Sequence, residues 1–327
     1  MDTLSDAIAA IQAADRIAIT THIRPDGDAI GSTLGLRRIL SAAGKAAAIV
    51  AMDTVPARYA FLMREDIIIP ADATAPDTYD LLIVLDTGAV DRAPSAMQDW
   101  IPHVRTLNID HHPTNTRFGH INHVNPVASS VGEMICELAR TVDFPIGSDA
   151  AEALWVALIT DTGRFAYSNT RPATLQAAAA LLEVGVRTDR IDDLIYNSAT
   201  VTQLRLQGRA IAHLELHENG RFALVSLARE DFTELGCTGE DADEIVNIPR
   251  RVSGTDVAVF LYELIGDNPR ETKASFRTNE PFDAANLCRQ LGGGGHARAA
   301  GCTLTMPLAQ AREHILALIH NAWFAAS

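Results

Sequence analysis

No apolar run in the 327-residue sequence approaches the roughly 20 residues that a membrane-spanning helix requires. Its first residues, Met1-Asp2-Thr3-Leu4-Ser5-Asp6, lack the basic segment of a secretory leader, so a cytoplasmic protein with no membrane partner is expected. Cysteine is scarce. Cys136, Cys237, Cys288 and Cys302 form no C-x-x-C pair and stand beside no histidine at zinc-finger spacing, which points to free, mostly buried thiols. Positive charge is in deficit: 27 Lys and Arg against 41 Asp and Glu give a formal net charge of −14, which disfavours a protein that grips long duplex nucleic acid through its phosphates. Aromatic residues are few, at 10 Phe, 5 Tyr and 3 Trp, and no basic run accompanies them. That is too little for the stacking platforms and charged groove of a processive single-strand exonuclease.

What remains is an ordinary globular composition, 47% hydrophobic and 21% charged, in a chain long enough for two domains. Leu4, Ile8 and Ile11 repeat at helical spacing, and Arg16 to Thr21 follows as a strand. A helix from about Ala29 to Ala42, a strand from Ala46 to Met52 and a weaker one at Ile67 to Ile69 come next. Leu81-Leu82-Ile83-Val84-Leu85 reads as a strand buried on both faces, and Val104 to Ile109 repeats that arrangement. Helices are expected at Ser130 to Val142 and Ser148 to Ile159. Strands alternating with helices argue for an α/β fold with a mainly parallel, doubly wound sheet. From Ala173 to about Leu214 the pattern is helical. Strands then return at Phe222 to Leu227, Val257 to Leu264 and Lys273 to Phe276, with helices around Asp241 to Ile248, Ala284 to Leu291 and Leu308 to Ala322. The expected division is a first domain at 1–185, a helical linker at 186–215 and a smaller α/β second domain at 216–327.

Several expected strands and helices end in polar residues of one kind. Collected in order these are His22, Asp26, Asp28, Asp86, Asp110, His111, His112 and Asp161. Pro25 and Gly27 make a helix through 22–26 improbable, so a tight turn aims His22, Asp26 and Asp28 in front of the sheet's carboxyl edge, where open α/β sheets bind ligands. Taken singly, each residue has a duller reading as a turn, a helix cap or a satisfied histidine. Together they form a mixed oxygen and imidazole set that suits Mn²⁺, Mg²⁺, Fe²⁺ or Co²⁺. Four carboxylates (Asp26, Asp28, Asp86, Asp161) offset the charge of two such ions, and one carboxylate can bridge ions about 3.5–4 Å apart. The histidines at 103, 120, 123, 213, 217, 314 and 320 are assigned to structure or solvent. The run Leu291-Gly292-Gly293-Gly294-Gly295-His296-Ala297-Arg298 is either a flexible loop or an anion cradle, in which glycine N–H groups approach closely and His296 and Arg298 add donors.

The segments T-H-I-R-P-D-G-D-A-I-G-S (21–32), L-D-T-G (85–88), I-D-H-H-P (109–113) and T-D-T-G-R-F (160–165) resemble, in order, the four motifs of the DHH phosphoesterase superfamily. Gly293-Gly294-Gly295-His296 resembles the G-G-G-H signature of the accompanying DHHA1 substrate domain, and Lys273-Ala274-Ser275-Phe276-Arg277 its K-x-S-x-R strand. The resemblance implies that His22, Asp26 and Asp86 hold one Mn²⁺, and that Asp28, Asp86, His111 and Asp161 hold another. It casts His112 as contacting the substrate phosphate or protonating the leaving oxygen, Asp110 as orienting it, and Arg277, His296 and the glycines as holding phosphate or base. Class II pyrophosphatases lack the G-G-G-H, RecJ-like exonucleases carry an extra oligonucleotide-binding domain, and cyclic dinucleotide phosphodiesterases carry membrane and sensory segments. The stand-alone nanoRNase and pAp phosphatase type is left. Its expected chemistry is metal-dependent hydrolysis of very short single-stranded RNA or of 3′-phosphoadenosine 5′-phosphate (pAp), with room for a homodimer. The rivals are a linear or cyclic dinucleotide phosphodiesterase, a RecJ-like exonuclease, and a non-catalytic nucleotide sensor with a vestigial centre.

Overall fold

In the computed structural model, which describes residues 3–242, 245–264 and 271–324, the chain divides into two units after Ser198. The first runs α1 (Leu4–Ala13), β1 (Arg16–Thr21), α2 (Gly27–Ala42), β2 (Ala46–Val50), β3 (Ile68–Ile69), β4 (Leu81–Leu85), α3 (Ser95–Trp100), β5 (Thr106–Asp110), β6 (Ile121–Val124), α4 (Val131–Thr141), α5 (Ser148–Asp161), α6 (Pro172–Glu183) and α7 (Thr188–Tyr196). Its six strands lie in the order β3-β2-β1-β4-β5-β6, and every neighbouring pair is parallel. The apolar run of β4 is continuous because both faces are covered. Leu81, Ile83 and Leu85 face the larger core with α1, α2, α4 and α5, whereas Leu82 and Val84 pack with Met97 and Trp100 on the other side.

This strand order places the topological switch between β1 and β4, which are direct neighbours. Chain leaving β1 turns into α2, and chain leaving β4 turns the other way, so a crevice opens at their carboxyl ends. His22 and Asp86 are the first residues beyond those two strands.

A second constraint brings helical residues to the same edge. Gly27, Gly31 and Gly35 form a one-turn-spaced stripe on α2, and α5 lies directly against it. A Cβ on Gly31 would stand 2.3 Å from the Ala153 carbonyl oxygen and 2.9 Å from the Ala157 nitrogen, inside van der Waals contact. Gly27 meets Thr160 and Gly35 meets Leu154, so the helices run antiparallel and the first turn of α2 sits beside the last turn of α5.

The second unit runs α8 (Val201–Ala212), β7 (Leu214–His217), β8 (Phe222–Leu227), α9 (Arg229–Thr233), α10 (Asn247–Arg250), β9 (Val257–Glu263), β10 (Thr272–Thr278), α11 (Ala284–Gln290), β11 (Gly294–His296), β12 (Ala299–Leu304) and α12 (Leu308–Ile319). Its sheet, β11-β12-β10-β9-β8-β7, is antiparallel except at β8–β9. The α/β class and the parallel first sheet agree with the sequence reading.

Four strands were not expected: β6, β7, β11 and β12. β7 occupies the end of the stretch read as helical, and β12, Ala-Ala-Gly-Cys-Thr-Leu, has little intrinsic strand preference and owes its conformation to pairing along β10. The expected helix around Asp241 to Ile248 is a 3₁₀ turn at Gly239–Ala242 followed by the single turn α10, with 243–244 outside the described residues. The helices read as one bridge fall on both sides of the division, α7 in the first unit and α8 in the second. All four cysteines are free and buried. No described helix is long and apolar enough to cross a membrane.

The glycine stripe has a measurable consequence. Gly31→Ala is expected to destabilise the protein by about 1–3 kcal/mol, because its methyl meets backbone that cannot rotate away. Gly208→Ala, on α8 with nothing within 4 Å of the added carbon, should stabilise by about 0.5–1 kcal/mol. Denaturant midpoints of the two variants, moving in opposite directions, check both.

Candidate metal centre

Hydrogen bonds, some local and some from distant segments, aim most of the side chains at the sheet edge. The His22 Nδ1–H donates to the Ile23 carbonyl at 2.9 Å, which turns Nε2 toward Asp86 (3.5 Å) and Asp26 (3.9 Å). Asp26 caps α2, accepting from the Ala29 N–H. Asp28, two residues further on in the first turn of α2, is fully buried and receives three donors. Its Oδ1 accepts from Ser32 Oγ (2.8 Å) and the Gly132 N–H (3.0 Å), and its Oδ2 from the Val131 N–H (2.7 Å). The two amides are the first of α4, so the positive end of that helix dipole faces a carboxylate.

Asp86 occupies the centre. It follows β4 with a left-handed backbone, φ +51°, a conformation that costs a non-glycine residue energy and is retained where the surroundings demand it. His111 Nε2 lies 3.5 Å from Asp86, 3.2 Å from Asp161 and 3.8 Å from Asp28, with its Nδ1–H on the Ala128 carbonyl. Asp161 is the last residue of α5. His112 is held differently: its Nδ1–H donates to Asp110 Oδ1 at 2.8 Å, and Asp110 Oδ2 accepts from Asn115 at 2.6 Å. Asn108, buried on β5, accepts a further bond from Asn115 and donates to the Val84 and Thr87 carbonyls.

Three groups of potential ligand atoms share Asp86, one of them with Asp110 and His112. His22, Asp26 and Asp86 offer atoms within 4.8 Å of one another, and so do Asp28, Asp86 and His111. The fit to a cation is tested by what hydrogen bonding leaves over. Asp86 Oδ1 is buried and has no hydrogen-bond partner, a costly state for a carboxylate oxygen unless a cation approaches it. The residues therefore fit divalent ions.

Ionisation tells the same story. Burial alone would lower His22, but the hydrogen bond to Asp86 and the charges of Asp26 and Asp86 outweigh it and raise the imidazole to about 9. His111 is raised well above its ordinary value against burial, by Asp161 first, and His112 is raised by Asp110. Burial raises Asp28, helped by the charges of Asp86 and Asp161, and burial also raises Asp161. Asp86 alone goes down: His22, His112 and His111 overcome its burial and hold it well below the usual carboxylate range. Without metal, the centre stores protons where cations would stand.

In the second unit, Arg277 lies on β10, Gly294 to His296 form β11, and Arg298 sits in the turn to β12. Gly293 and Gly295 are demanded by the fold, since an added Cβ would fall 2.2 Å from the Gly301 carbonyl oxygen and 2.6 Å from that of Ala299. Gly294 is not: nothing lies within 4 Å of the added atom. Arg298 donates to the Phe282 carbonyl and faces Glu280, which gives it a place in shaping the turn.

Residues 16–158 match the DHH family, N-terminal domain, and residues 220–323 match the DHHA1 domain. A bifunctional oligoribonuclease and PAP phosphatase NrnA of Thermus thermophilus is 34% identical over 307 residues, covering 93% of this chain and 89% of that protein. The chain belongs to the DHH family. A protein of the same description in Bacillus subtilis is 30% identical, covering 92% of this chain and 93% of its own length. Among solved structures, an exopolyphosphatase-related protein from Bacteroides fragilis superposes with a TM-score of 0.87 at 26% identity, covering 97% of this chain and 95% of that one. This DHH-family chain is a hydrolytic phosphoesterase, and the enzymes of its family are metal-dependent.

Sequence reasoning missed the supporting layer: Ser32, Asn108, Asn115, the α4 amides and Asn169. Asn115 and Ser32 had a faint signal, standing five residues after Asp110 and four after Asp28, but the others reach the site only through the fold.

Proton displacement supplies the prediction here. With His22 raised to about 9, it is protonated at pH 7 in the metal-free protein and must lose that proton to coordinate. Metal affinity should therefore rise with pH, by about tenfold per unit for each proton displaced, until the imidazole is neutral. Calorimetric titration with Mn²⁺ in buffers of different ionisation enthalpy counts those protons; a count of zero at pH 7 contradicts the assignment.

Proposed function

We propose that this DHH-family phosphoesterase works in the cytoplasm, hydrolysing very short oligoribonucleotides to mononucleotides and pAp to AMP, with two divalent ions, Mn²⁺ for preference. The observation that carries the reading is the overlap of two ligand groups at Asp86, a residue able to serve both ions. His22, Asp26 and Asp86 hold one, and Asp28, Asp86, His111 and Asp161 the other. The names of the Thermus and Bacillus relatives support the choice of substrates, since those proteins match this chain along nearly its whole length.

When bound, the ions supply Lewis acidity at the phosphoryl group and lower the pKa of water. The protein's own residues do the rest. Asp110, steadied by Asn115, fixes the tautomer and plane of His112 through Nδ1, which leaves Nε2 as the nitrogen that gives a proton to the departing ribose oxygen. A raised His112 suits that duty, because Asp110 and Asp86 favour the protonated ring against its burial. Arg277, His296, Arg298 and the glycines at 293–295 receive the substrate's phosphate or base, Arg277 by a forked pair of donors. Gly294 supports this directly, because the fold has no use for its missing side chain while an approaching anion does.

Two measurements test the reading. With Mn²⁺, the purified protein should cleave a diribonucleotide and release phosphate from pAp faster than it opens cyclic dinucleotides, and Asp86→Ala should reduce kcat/KM by about 1000-fold or more. Undiminished turnover in that variant would refute the shared-ligand assignment. Gly294→Ala should leave the melting temperature unchanged and raise KM several-fold; an unaltered KM removes the loop from substrate binding.

A further inference from the structure

Beyond Asp161 the chain makes a turn with unusual backbone. Gly163, Arg164 and Phe165 are all left-handed, with φ of +55°, +60° and +63°, and two of the three carry side chains that disfavour it. Thr162 holds the turn together: its hydroxyl donates to the Leu158 carbonyl (2.6 Å) and accepts from the Phe165 N–H (3.0 Å), while its carbonyl accepts from the Tyr167 N–H (2.9 Å). The result is to return Asn169 to the end of α5.

There the Asn169 Nδ2 donates to two carbonyls from different parts of the chain, Asp161 at 3.0 Å and Ser129 at 3.1 Å. Ser129 immediately precedes Ser130, the cap of α4, and the next two amides of that helix hold both oxygens of Asp28. A single amide group thus ties the residue that carries one carboxylate to the segment that grips the other. Its Oδ1 is buried with no hydrogen-bond partner, a penalty that an apolar residue of similar size would avoid. The strained turn and the unsatisfied oxygen are both tolerated for the sake of the two donated bonds.

We propose that Asn169 is a positioning residue for the second ion: by bridging the Ser129 and Asp161 carbonyls it sets the separation at which Asp28 and Asp161 reach the same cation. The proposal rests on the two-ion reading above. Asn169 itself touches neither the ion nor the substrate.

The full-length protein is titrated with Mn²⁺ by calorimetry and followed by electron paramagnetic resonance. The wild type should bind in two steps and develop the exchange-coupled signal of a bridged pair. In Asn169→Ala one of the two steps should lose about 10- to 100-fold in affinity, and the coupled signal should fall, while the other step stays within about twofold. Asn169→Ser, which keeps one donor, should lie between the two and covers the case in which the alanine variant does not fold. Equal weakening of both steps would reduce Asn169 to a general structural role and overturn the proposal, as would two unchanged steps. A wild type that binds one ion only would instead overturn the two-ion reading.

Discussion

Three carboxylates, Asp28, Asp86 and Asp161, are gathered at one sheet edge around a single imidazole, and burial keeps water from screening the first two. Two like charges about 4 Å apart repel by about 4 kcal/mol at an effective dielectric of 20, so a third in the same space cannot be ionised without positive charge beside it. The protein answers in two ways. It supplies partial charge from the first amides of α4, and it raises the surrounding histidines so that they carry protons. Both are weaker than a divalent cation, and both leave Asp86 Oδ1 without a donor. The centre is therefore built for ions, and protons stand in for them.

Holding such a cluster requires backbone that resists relaxation. Were α2 and α5 free to part, the repulsion between Asp28 and Asp161 would push them apart; the glycine stripe allows the helices to lock at a distance that side chains would forbid. The same logic accounts for left-handed Asp86. In an extended conformation its carboxylate would continue the alternation of β4 and point into a sheet face, whereas the reversed backbone turns it into the crevice between β1 and β4. Strain is spent where the charges meet and is covered by the apolar core beneath, in which β4 is buried along its whole length.

Much of this was legible in the sequence, for a specific reason. A doubly wound sheet ends its strands at one edge, so an apolar run that stops on Asp or His announces both a strand and the position of its last residue. Leu81 to Leu85 followed by Asp86, and the run ending in Asp110-His111-His112, carry that signal plainly. What the sequence could not carry was contact between distant segments. Asp28 is held by amides more than a hundred residues away, and nothing in Val131 or Gly132 advertises it, because any residue has an N–H. The strands β7, β11 and β12 escaped for a related reason, since partners rather than composition decide them. Arg298 illustrates the same limit: its charge beside a glycine run suggests ligand contact, and nothing in the sequence foretells that its guanidinium also donates to the Phe282 carbonyl.

Charge also bears on the length of substrate. A protein that follows a strand must meet each phosphate with a cation, and affinity then grows with every nucleotide covered. Here acidic residues exceed basic ones by 14, and the metal ions themselves are the strongest positive charges the proposed centre would possess. In the proposed reading such a centre would attract the one phosphate at which reaction occurs, and Arg277 with the glycine loop would receive one further group. Each additional phosphate would approach a protein whose net charge has its own sign. A longer strand thus gains little attraction and accumulates repulsion, whereas a dinucleotide or pAp has no phosphates beyond the two that are received. The preference for short substrates proposed for this enzyme follows from that balance and needs no wall to block the site.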